Sequence, residues 1–201
     1  GTGKTFTLEN RIIYMIQQYG VKPDSILTIT YTEKAAKELK SRLYEKIGQK
    51  VHPMFVGTFH SFCYKLMKEY QINNADSSSL IDQSEAVHMI LENYDDFMPF
   101  MSEEFSINPK KSATESFIPF FNRLRDELVD TDNVDKFIFK EFYQDNGESF
   151  DQLNDLLRIF PIYQNLKKEN NLIDYNDMII DTFNALKSDT RLLEKVQLRY
   201  C

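Results

Sequence analysis

The chain begins with residue types that bind phosphate, Gly1-Thr2-Gly3-Lys4-Thr5. They match the second half of a G-x-x-x-x-G-K-[ST] phosphate loop, and apolar residues at helical spacing follow as far as Gly20. Glycine lets backbone N–H groups approach phosphate oxygens, and a helix start adds the positive end of its dipole. In such a loop Lys4 reaches the β- and γ-phosphates and the Thr5 hydroxyl binds Mg²⁺. The alternative is a flexible terminus that happens to contain two glycines.

Two later segments place hydroxyl, aromatic and basic side chains where a strand gives way to a helix. The first contains Tyr31, Thr32 and Lys34, and the second is Gly57-Thr-Phe-His-Ser-Phe62. At such a junction a hydroxyl and a helix-start amide can bind a backbone phosphate, and an aromatic ring can stack on an unpaired base. If the two strands are neighbours, Thr58, His60 and Ser61 cluster beside Tyr31. The alternative for each segment alone is ordinary packing, with His60 as a capping or core residue.

The elements that position these residues alternate along the first 70 residues. Helical periodicity covers 4–19, 33–47 and 59–70, and β-branched or aromatic runs cover 25–31 and 51–58. Helices alternating with strands through short connections are typical of an open parallel α/β sheet. We therefore expect the phosphate loop and the tips at Tyr31 and His60 to line one edge of one sheet.

From Ser77 onwards the sequence predicts helices only. A capping box, Asp82-Gln-Ser-Glu85, opens a helix that runs through Tyr94. Further helices are predicted over 114–130, 133–144, 150–169, 174–187 and 189–199, with a loop over 95–112. The i, i+3 spacing of Asp174 and Asp177 indicates a helix start with an N-cap rather than a pair of metal ligands.

The composition is that of a globular protein of 201 residues, 42% hydrophobic and 27% charged. It has no apolar run long enough for a membrane span and no secretion signal, so we expect a cytoplasmic protein without a membrane partner. Cys63 and Cys201 make no disulfide framework, which favours reduced thiols. The net charge of −7 argues at first against nucleic acid, but residues 1–50 carry nine basic and five acidic residues. This balance of +4 leaves −11 for the remainder.

Together these segments resemble the UvrD/Rep/PcrA family of superfamily 1 DNA helicases. GTGKT is similar to the end of that family's Walker A motif, and Arg11-Ile-Ile-Tyr14 is similar to its first-helix pattern. TYTEKAAKEL at 30–39 resembles TFTNKAAxEM, and GTFHSF at 57–62 matches the next motif letter for letter. Ile173-Asp-Tyr-Asn-Asp-Met178 is similar to the segment that precedes Walker B. No family motif matches within residues 71–170.

The resemblance implies an α/β fold with a partial RecA-like P-loop NTPase parallel sheet and a large all-α insertion. Residues 1–70 would be the incomplete motor lobe (subdomain 1A), 71–170 the helical insertion (subdomain 1B) and 171–201 the return to the motor lobe. The implied activity is ATP-dependent 3′-to-5′ translocation on single-stranded DNA with duplex unwinding. The implied partners are single-stranded DNA, junctions of single- and double-stranded DNA, and the rest of the helicase. Because the Walker B carboxylates are missing, the chain by itself is expected to be inactive.

The resemblance also assigns site residues. Lys4 and Thr5 are the catalytic candidates, Thr5 binds Mg²⁺, and the ATP-binding set is Gly1, Thr2, Gly3, Lys4, Thr5 and Phe6. The DNA-binding set is Tyr31, Thr32, Lys34, Thr58, His60 and Ser61. Glu33 stands where Rep-like members have Asn, which is closer to the AddA/RecB branch, and Phe6 stands where many relatives have Arg. A P-loop nucleotide or nucleoside kinase and a non-catalytic interaction module are the alternative functions.

Overall fold

The structure is a computed structural model that describes residues 3–129 and 150–200. In these ranges the protein is mostly helical, with two small parallel sheets of two strands each. The chain divides into two compact units. The first comprises the chain up to Asn73 and again from Asp181, and the second runs from Asn74 to Ile180.

The first unit is built on a parallel pair of strands with helices. Its elements in chain order are α1 (Lys4–Gln18), β1 (Leu27–Thr30), α2 (Glu33–Ile47), β2 (Phe55–Thr58) and α3 (Phe59–Glu69). The strands pair in register from Leu27 opposite Phe55 to Thr30 opposite Thr58. Each strand is therefore followed within two residues by a helix, and both helices start at the same edge of the sheet.

Both strands are shorter than the sequence predicts. A 3₁₀ turn at Pro23–Ser25 reaches the start of the first predicted strand, and a second one at Gly48–Val51 reaches the start of the other. In these turns the Ile26 N–H donates to the Pro23 carbonyl at 3.1 Å, and the Met54 N–H donates to the Val51 carbonyl at 3.1 Å. Since those N–H groups are used locally, they do not extend the sheet ladder.

The core of the first unit joins α1 and α2 to the sheet. Its buried members are Ile12, Ile16, Ile26, Leu39, Leu43, Val51 and Met54. Those on the helices, Ile12 and Ile16 of α1 and Leu39 and Leu43 of α2, recur at helical spacing, as the periodicity predicts. Cys63 on α3 is a buried free thiol, and its backbone carbonyl accepts a hydrogen bond from the Thr182 hydroxyl at 3.3 Å.

The second unit is not wholly helical, which corrects the prediction from Ser77 onwards. The short strands β3 (Ser79–Leu80) and β4 (Leu172–Ile173) pair in parallel. The segment predicted as a loop over 95–112 is also ordered into short helices. They are α5 (Tyr94–Phe97), α6 (Glu103–Ile107) and α7 (Pro109–Ser112), with a 3₁₀ turn at Met98–Phe100. Buried Phe97 and Phe105 anchor this segment in the core.

The longer helices of the second unit follow the sequence prediction closely. They are α4 (Gln83–Glu92), with the predicted capping box, α8 (Ile118–Asp126), α9 (Phe150–Glu169) and α10 (Tyr175–Ser188), of which the residues from Asp181 onwards belong to the first unit. The helix predicted over 114–130 opens with a π turn at Ala113–Phe117 and ends earlier. The predicted helix over 133–144 lies outside the described residues. The last helix of the described residues, α11 (Thr190–Arg199), belongs to the first unit.

Phenylalanine dominates the core of the second unit. The largest fully buried side chains are Phe97, Phe117, Phe121, Ile90, Leu153, Leu156 and Ile159. The Phe121 ring stacks on Tyr163 with centroids 5.0 Å apart and meets Phe160 at 5.2 Å. Within residues 3–129 and 150–200, no helix has the length and apolar character needed to cross a membrane.

Candidate functional site

The two strands of the first unit end side by side and expose an aromatic ring. We call residues 30–34 and 58–61 the strand-tip edge. Thr30 lies opposite Thr58 in the ladder, and the Tyr31 side chain that follows is 99% exposed. Lys34 is exposed on the first turn of α2. A freely exposed tyrosine beside a lysine at a sheet edge can offer a stacking surface next to a positive charge.

Threonine hydroxyls cap both helices that start at this edge. Thr32 accepts from the Ala35 N–H at 3.1 Å, and Thr58 accepts from the Ser61 N–H at 3.2 Å. A threonine N-cap satisfies a helix-start amide and fixes where the helix begins. The structure thus brings Tyr31, Thr32, Thr58 and Ser61 together, and local capping explains why the sequence folds in this way.

Three residues of the strand-tip edge, Thr30, Glu33 and Phe59, are absent from the predicted DNA-binding set. Glu33 accepts a hydrogen bond from the Thr58 hydroxyl at 2.8 Å, which links the start of α2 to the start of α3. Phe59, the first residue of α3, is about half exposed, whereas His60 is only partly exposed. The position of Glu33 directly after the capping Thr32 is a sequence signal that could have identified it.

Gly57 precedes this edge at a position with no room for a side chain. A Cβ there would lie 2.6 Å from Ser61 Oγ and 2.8 Å from Phe55 Cζ. The Phe55 ring cannot easily move, because it packs against Phe62 at 5.2 Å and lies 5.7 Å from Lys65 Nζ. We expect Gly57→Ala to lower the free energy of unfolding by about 1–3 kcal/mol, the usual cost of overpacking. Urea denaturation followed by circular dichroism measures this change.

The Gly57 variant has a compensating control. Adding Phe55→Leu to Gly57→Ala removes the ring atoms nearest the new methyl group. The decrease in the free energy of unfolding of the double variant should therefore be smaller than the sum of the decreases in Gly57→Ala and Phe55→Leu. Wild-type stability in Gly57→Ala, or simple additivity in the double variant, would show that the packing at Gly57 is not restrictive.

The predicted phosphate loop leads directly into α1. Gly3 occupies the N-cap position with φ of 72°, a left-handed conformation that glycine adopts without strain. An added Cβ at Gly3 would meet nothing within 4 Å, so the turn is open to solvent. Lys4 and Thr5 are exposed on the first turn of the helix. Gly1 and Thr2 lie outside the described residues.

A side-chain contact joins the helix that follows the phosphate-loop turn to α2, and the position of this turn at the strand-tip edge stays a prediction. Lys46 Nζ lies 2.6 Å from Glu9 Oε1 and 5.6 Å from the centre of the Phe6 ring. Lys46 is in the last turn of α2, and 13 residues of helix place it roughly 20 Å along the axis from Glu33. The Glu9 carboxylate is buried and pairs with Lys46, so this contact helps to fix α1 against α2. It also brings a cation to the exposed ring of Phe6.

The second unit contains a buried ion cluster, which we define as Arg125, Lys167, Asp174 and Asp177. Lys167 Nζ lies 2.5 Å from Asp174 Oδ2 and 2.8 Å from Asp177 Oδ2, and Arg125 pairs with both carboxylates. The Asp177 N–H donates to Asp174 Oδ1 at 2.8 Å, so the predicted N-cap is confirmed. The charged partners from α8 and α9 were not predicted.

The ion cluster changes the pKa of Asp174 and that of the neighbouring Tyr163. Burial alone would raise the pKa of Asp174, but the nearby charges of Lys167 and Arg125 outweigh it and lower the pKa to about 2. Tyr163 donates its hydroxyl to Asp174 Oδ2 at 3.0 Å. Burial and the negative charge of Asp174 raise the pKa of Tyr163 well above its usual range. The cluster therefore keeps the Asp174 carboxylate ionised inside the protein, which is a structural role.

Comparison with known proteins identifies the class to which these features belong. The sequence model of the UvrD/REP helicase N-terminal domain matches residues 1–201, and the chain belongs to this family. The resemblance drawn from the motifs is thereby confirmed.

Individual relatives carry helicase names. A probable DNA helicase II homolog of Mycoplasma pneumoniae is 30% identical over 97% of this chain, and one of Mycoplasma capricolum is 28% identical over all of it. The ATP-dependent DNA helicase PcrA of Staphylococcus epidermidis is 26% identical over the whole chain. These matches cover 25–26% of each relative, so the chain spans about a quarter of their length.

Proposed function

We propose that this chain is part of an ATP-dependent DNA helicase that couples ATP hydrolysis to 3′-to-5′ movement on single-stranded DNA and to duplex unwinding. The observation that carries the proposal is the strand-tip edge, where Tyr31 is fully exposed beside two capping threonines in a chain of the UvrD/REP family. The relatives named PcrA are described as ATP-dependent DNA helicases. The remainder of the helicase and junctions of single- and double-stranded DNA are the proposed partners.

In this proposal the two units have different roles. The first unit, with its parallel β1 and β2 between helices, is the incomplete RecA-like motor lobe, subdomain 1A. The second unit, with its phenylalanine-rich helical core, is the insertion, subdomain 1B. Phosphoryl transfer needs several groups in position at once, so ATP hydrolysis requires the remainder of the helicase as well.

The start of α1 is the proposed nucleotide site. The open left-handed turn at Gly3 and the exposed Lys4 and Thr5 suit a phosphate group at a helix N-terminus. Lys4 would contact the phosphates, the Thr5 hydroxyl would bind Mg²⁺, and the exposed Phe6 ring would lie near the base. When bound, Mg²⁺ neutralises charge that develops on the phosphates during transfer.

The strand-tip edge is the proposed contact with single-stranded DNA. The Tyr31 ring would stack on a base, because aromatic stacking accepts any base and suits binding without sequence preference. Thr32, Lys34, Thr58, His60 and Ser61 surround it and would contact the backbone phosphates. An anionic ligand held mainly through phosphates is released as salt rises.

Removing the Tyr31 ring is the direct test. We expect Tyr31→Ala to weaken binding of a fluorescein-labelled oligo(dT) about ten-fold at low salt, because one stacked base is worth roughly 1–3 kcal/mol. Fluorescence anisotropy measures the dissociation constant. Stability should hardly change, since the side chain makes no buried contact.

Tyr19→Ala is the matched control. Tyr19 is also a largely exposed tyrosine of the first unit, but it lies at the end of α1 and packs on Tyr14 at 5.3 Å. Oligonucleotide binding should be the same in this variant and in the wild type. Equal losses in the two variants, or no loss in Tyr31→Ala, would contradict a DNA contact at the strand-tip edge.

A further inference from the structure

We propose that Glu33 competes with DNA phosphate for the Thr58 hydroxyl and thereby weakens the hold of the strand-tip edge on its strand. This inference rests on the proposed function, since it concerns the same contact surface. Glu33 is the exposed first residue of α2, and its Oε1 atom lies 2.8 Å from Thr58 Oγ1. A carboxylate oxygen accepts a hydroxyl proton in the same way as a phosphate oxygen does.

The hydroxyl protons of Thr58 and Ser61 are both committed while Glu33 is in place. Thr58 has one hydroxyl proton, and its acceptors are Glu33 Oε1 at 2.8 Å and Ser61 Oγ at 3.0 Å. The Ser61 hydroxyl donates to the Thr58 carbonyl at 2.9 Å. Neither hydroxyl therefore has a proton left for a phosphate oxygen. Thr58 becomes a donor to DNA only when the Glu33 carboxylate leaves.

The charge of Glu33 acts in the same direction as its hydrogen bond. The carboxylate occupies the start of α3, where the helix dipole favours a negative group, so it takes the place that suits a phosphate. A phosphate that approaches Thr58 meets a like charge at close range. Glu33 is exposed, so it can turn into solvent and return when the phosphate departs. The consequence is a contact that forms and releases readily rather than one that is held tightly.

Glu33→Gln isolates the charge, because it keeps an oxygen acceptor for Thr58. We expect this variant to bind oligo(dT) about five-fold more tightly than the wild type at low salt, as removal of a like charge near a phosphate implies. Glu33→Ala, which also frees the Thr58 proton, should bind at least as tightly as Glu33→Gln. Fluorescence anisotropy at two salt concentrations measures both variants, and the gain should shrink at the higher one.

Glu38→Gln is the matched control, because Glu38 is an exposed glutamate on α2 that pairs with Arg42 rather than with Thr58. It makes the same change in net charge away from the edge. A gain in Glu33→Gln that exceeds the gain in Glu38→Gln supports the proposal, and equal gains or weaker binding overturn it. Adding Thr58→Val to Glu33→Ala should remove part of the gain in affinity for oligo(dT). If the double variant keeps the whole gain, the proposed role of Thr58 is overturned.

The two proposals fail in different ways. If the wild type binds oligo(dT) and Tyr31→Ala weakens it, while Glu33→Gln behaves like Glu38→Gln, the competition is refuted and the DNA contact stands. If Tyr31→Ala has no effect, the DNA contact at this edge is itself refuted, whatever the Glu33 variants do.

Discussion

Replacing Lys167 with Met should destabilise the protein by about 3–5 kcal/mol, the usual cost of removing one partner from a buried ion pair. The Lys167 side chain is 3% exposed and bonds to both Asp174 and Asp177. Methionine fills a similar volume but offers no hydrogen to either carboxylate, so one buried negative charge loses its main partner. Urea denaturation followed by far-ultraviolet circular dichroism gives the change in the free energy of unfolding.

Lys168→Met is the matched control for this prediction. Lys168 is the next residue of α9 and is exposed, so the same substitution there removes a solvated charge only. Surface changes of this kind usually stay within ±0.5 kcal/mol. If Lys167→Met were as stable as Lys168→Met, the buried ion cluster would contribute little to the fold.

Protonation of Asp174 at low pH should lower the free energy of unfolding by a defined amount. Its pKa is about 2 in the folded protein and near the ordinary value of 3.8 when unfolded, so the unfolded chain binds the proton first. The contribution is therefore fully present above about pH 4 and is lost as the pH falls towards 2. A difference of this size corresponds to about 2 kcal/mol. Urea denaturation at a series of pH values from 6 to 2 measures it.

Lys167→Met also tests the cause of the acid sensitivity. Without the lysine charge, the pKa of Asp174 should rise, because burial then acts with less opposition. Protonation of Asp174 would also remove the unpaired negative charge, so the difference in free energy of unfolding between the wild type and the variant should become smaller below pH 4. A difference that stays constant across the whole pH range would show that the lysine acts through packing alone.

Local sequence signals were sufficient to predict much of the fold of the first unit. The bounds of α1, α2 and α3 follow from apolar periodicity and from Thr32 and Thr58 as caps, which act within a few residues of the chain. The parallel pairing of β1 with β2 follows from the helix between them. The residues at the strand-tip edge could therefore be brought together from the sequence, although their contact with DNA remains a prediction.

Features that depend on distant residues could not be predicted in the same way. Strands of two residues, such as β3 and β4, carry no periodicity, and their pairing joins Leu80 to Ile173 across most of the second unit. Arg125 reaches Asp174 from 49 positions away, so spacing gives no sign of it. The ion pair that joins Glu9 of α1 to Lys46 of α2 is likewise encoded by no local pattern.

The pairing of β1 with β2 has a consequence for residues far from the strand-tip edge. Each strand has only four residues, so a slip of one position would exchange buried Thr28 with its exposed neighbour Ile29 and carry Tyr31 to the opposite face. The packing of the hydrophobic core of the first unit, which includes Ile26 and Met54, prevents this slip. The position of Tyr31 is thus set by apolar residues outside the strand-tip edge, and substitutions that disturb this core are expected to displace the tyrosine.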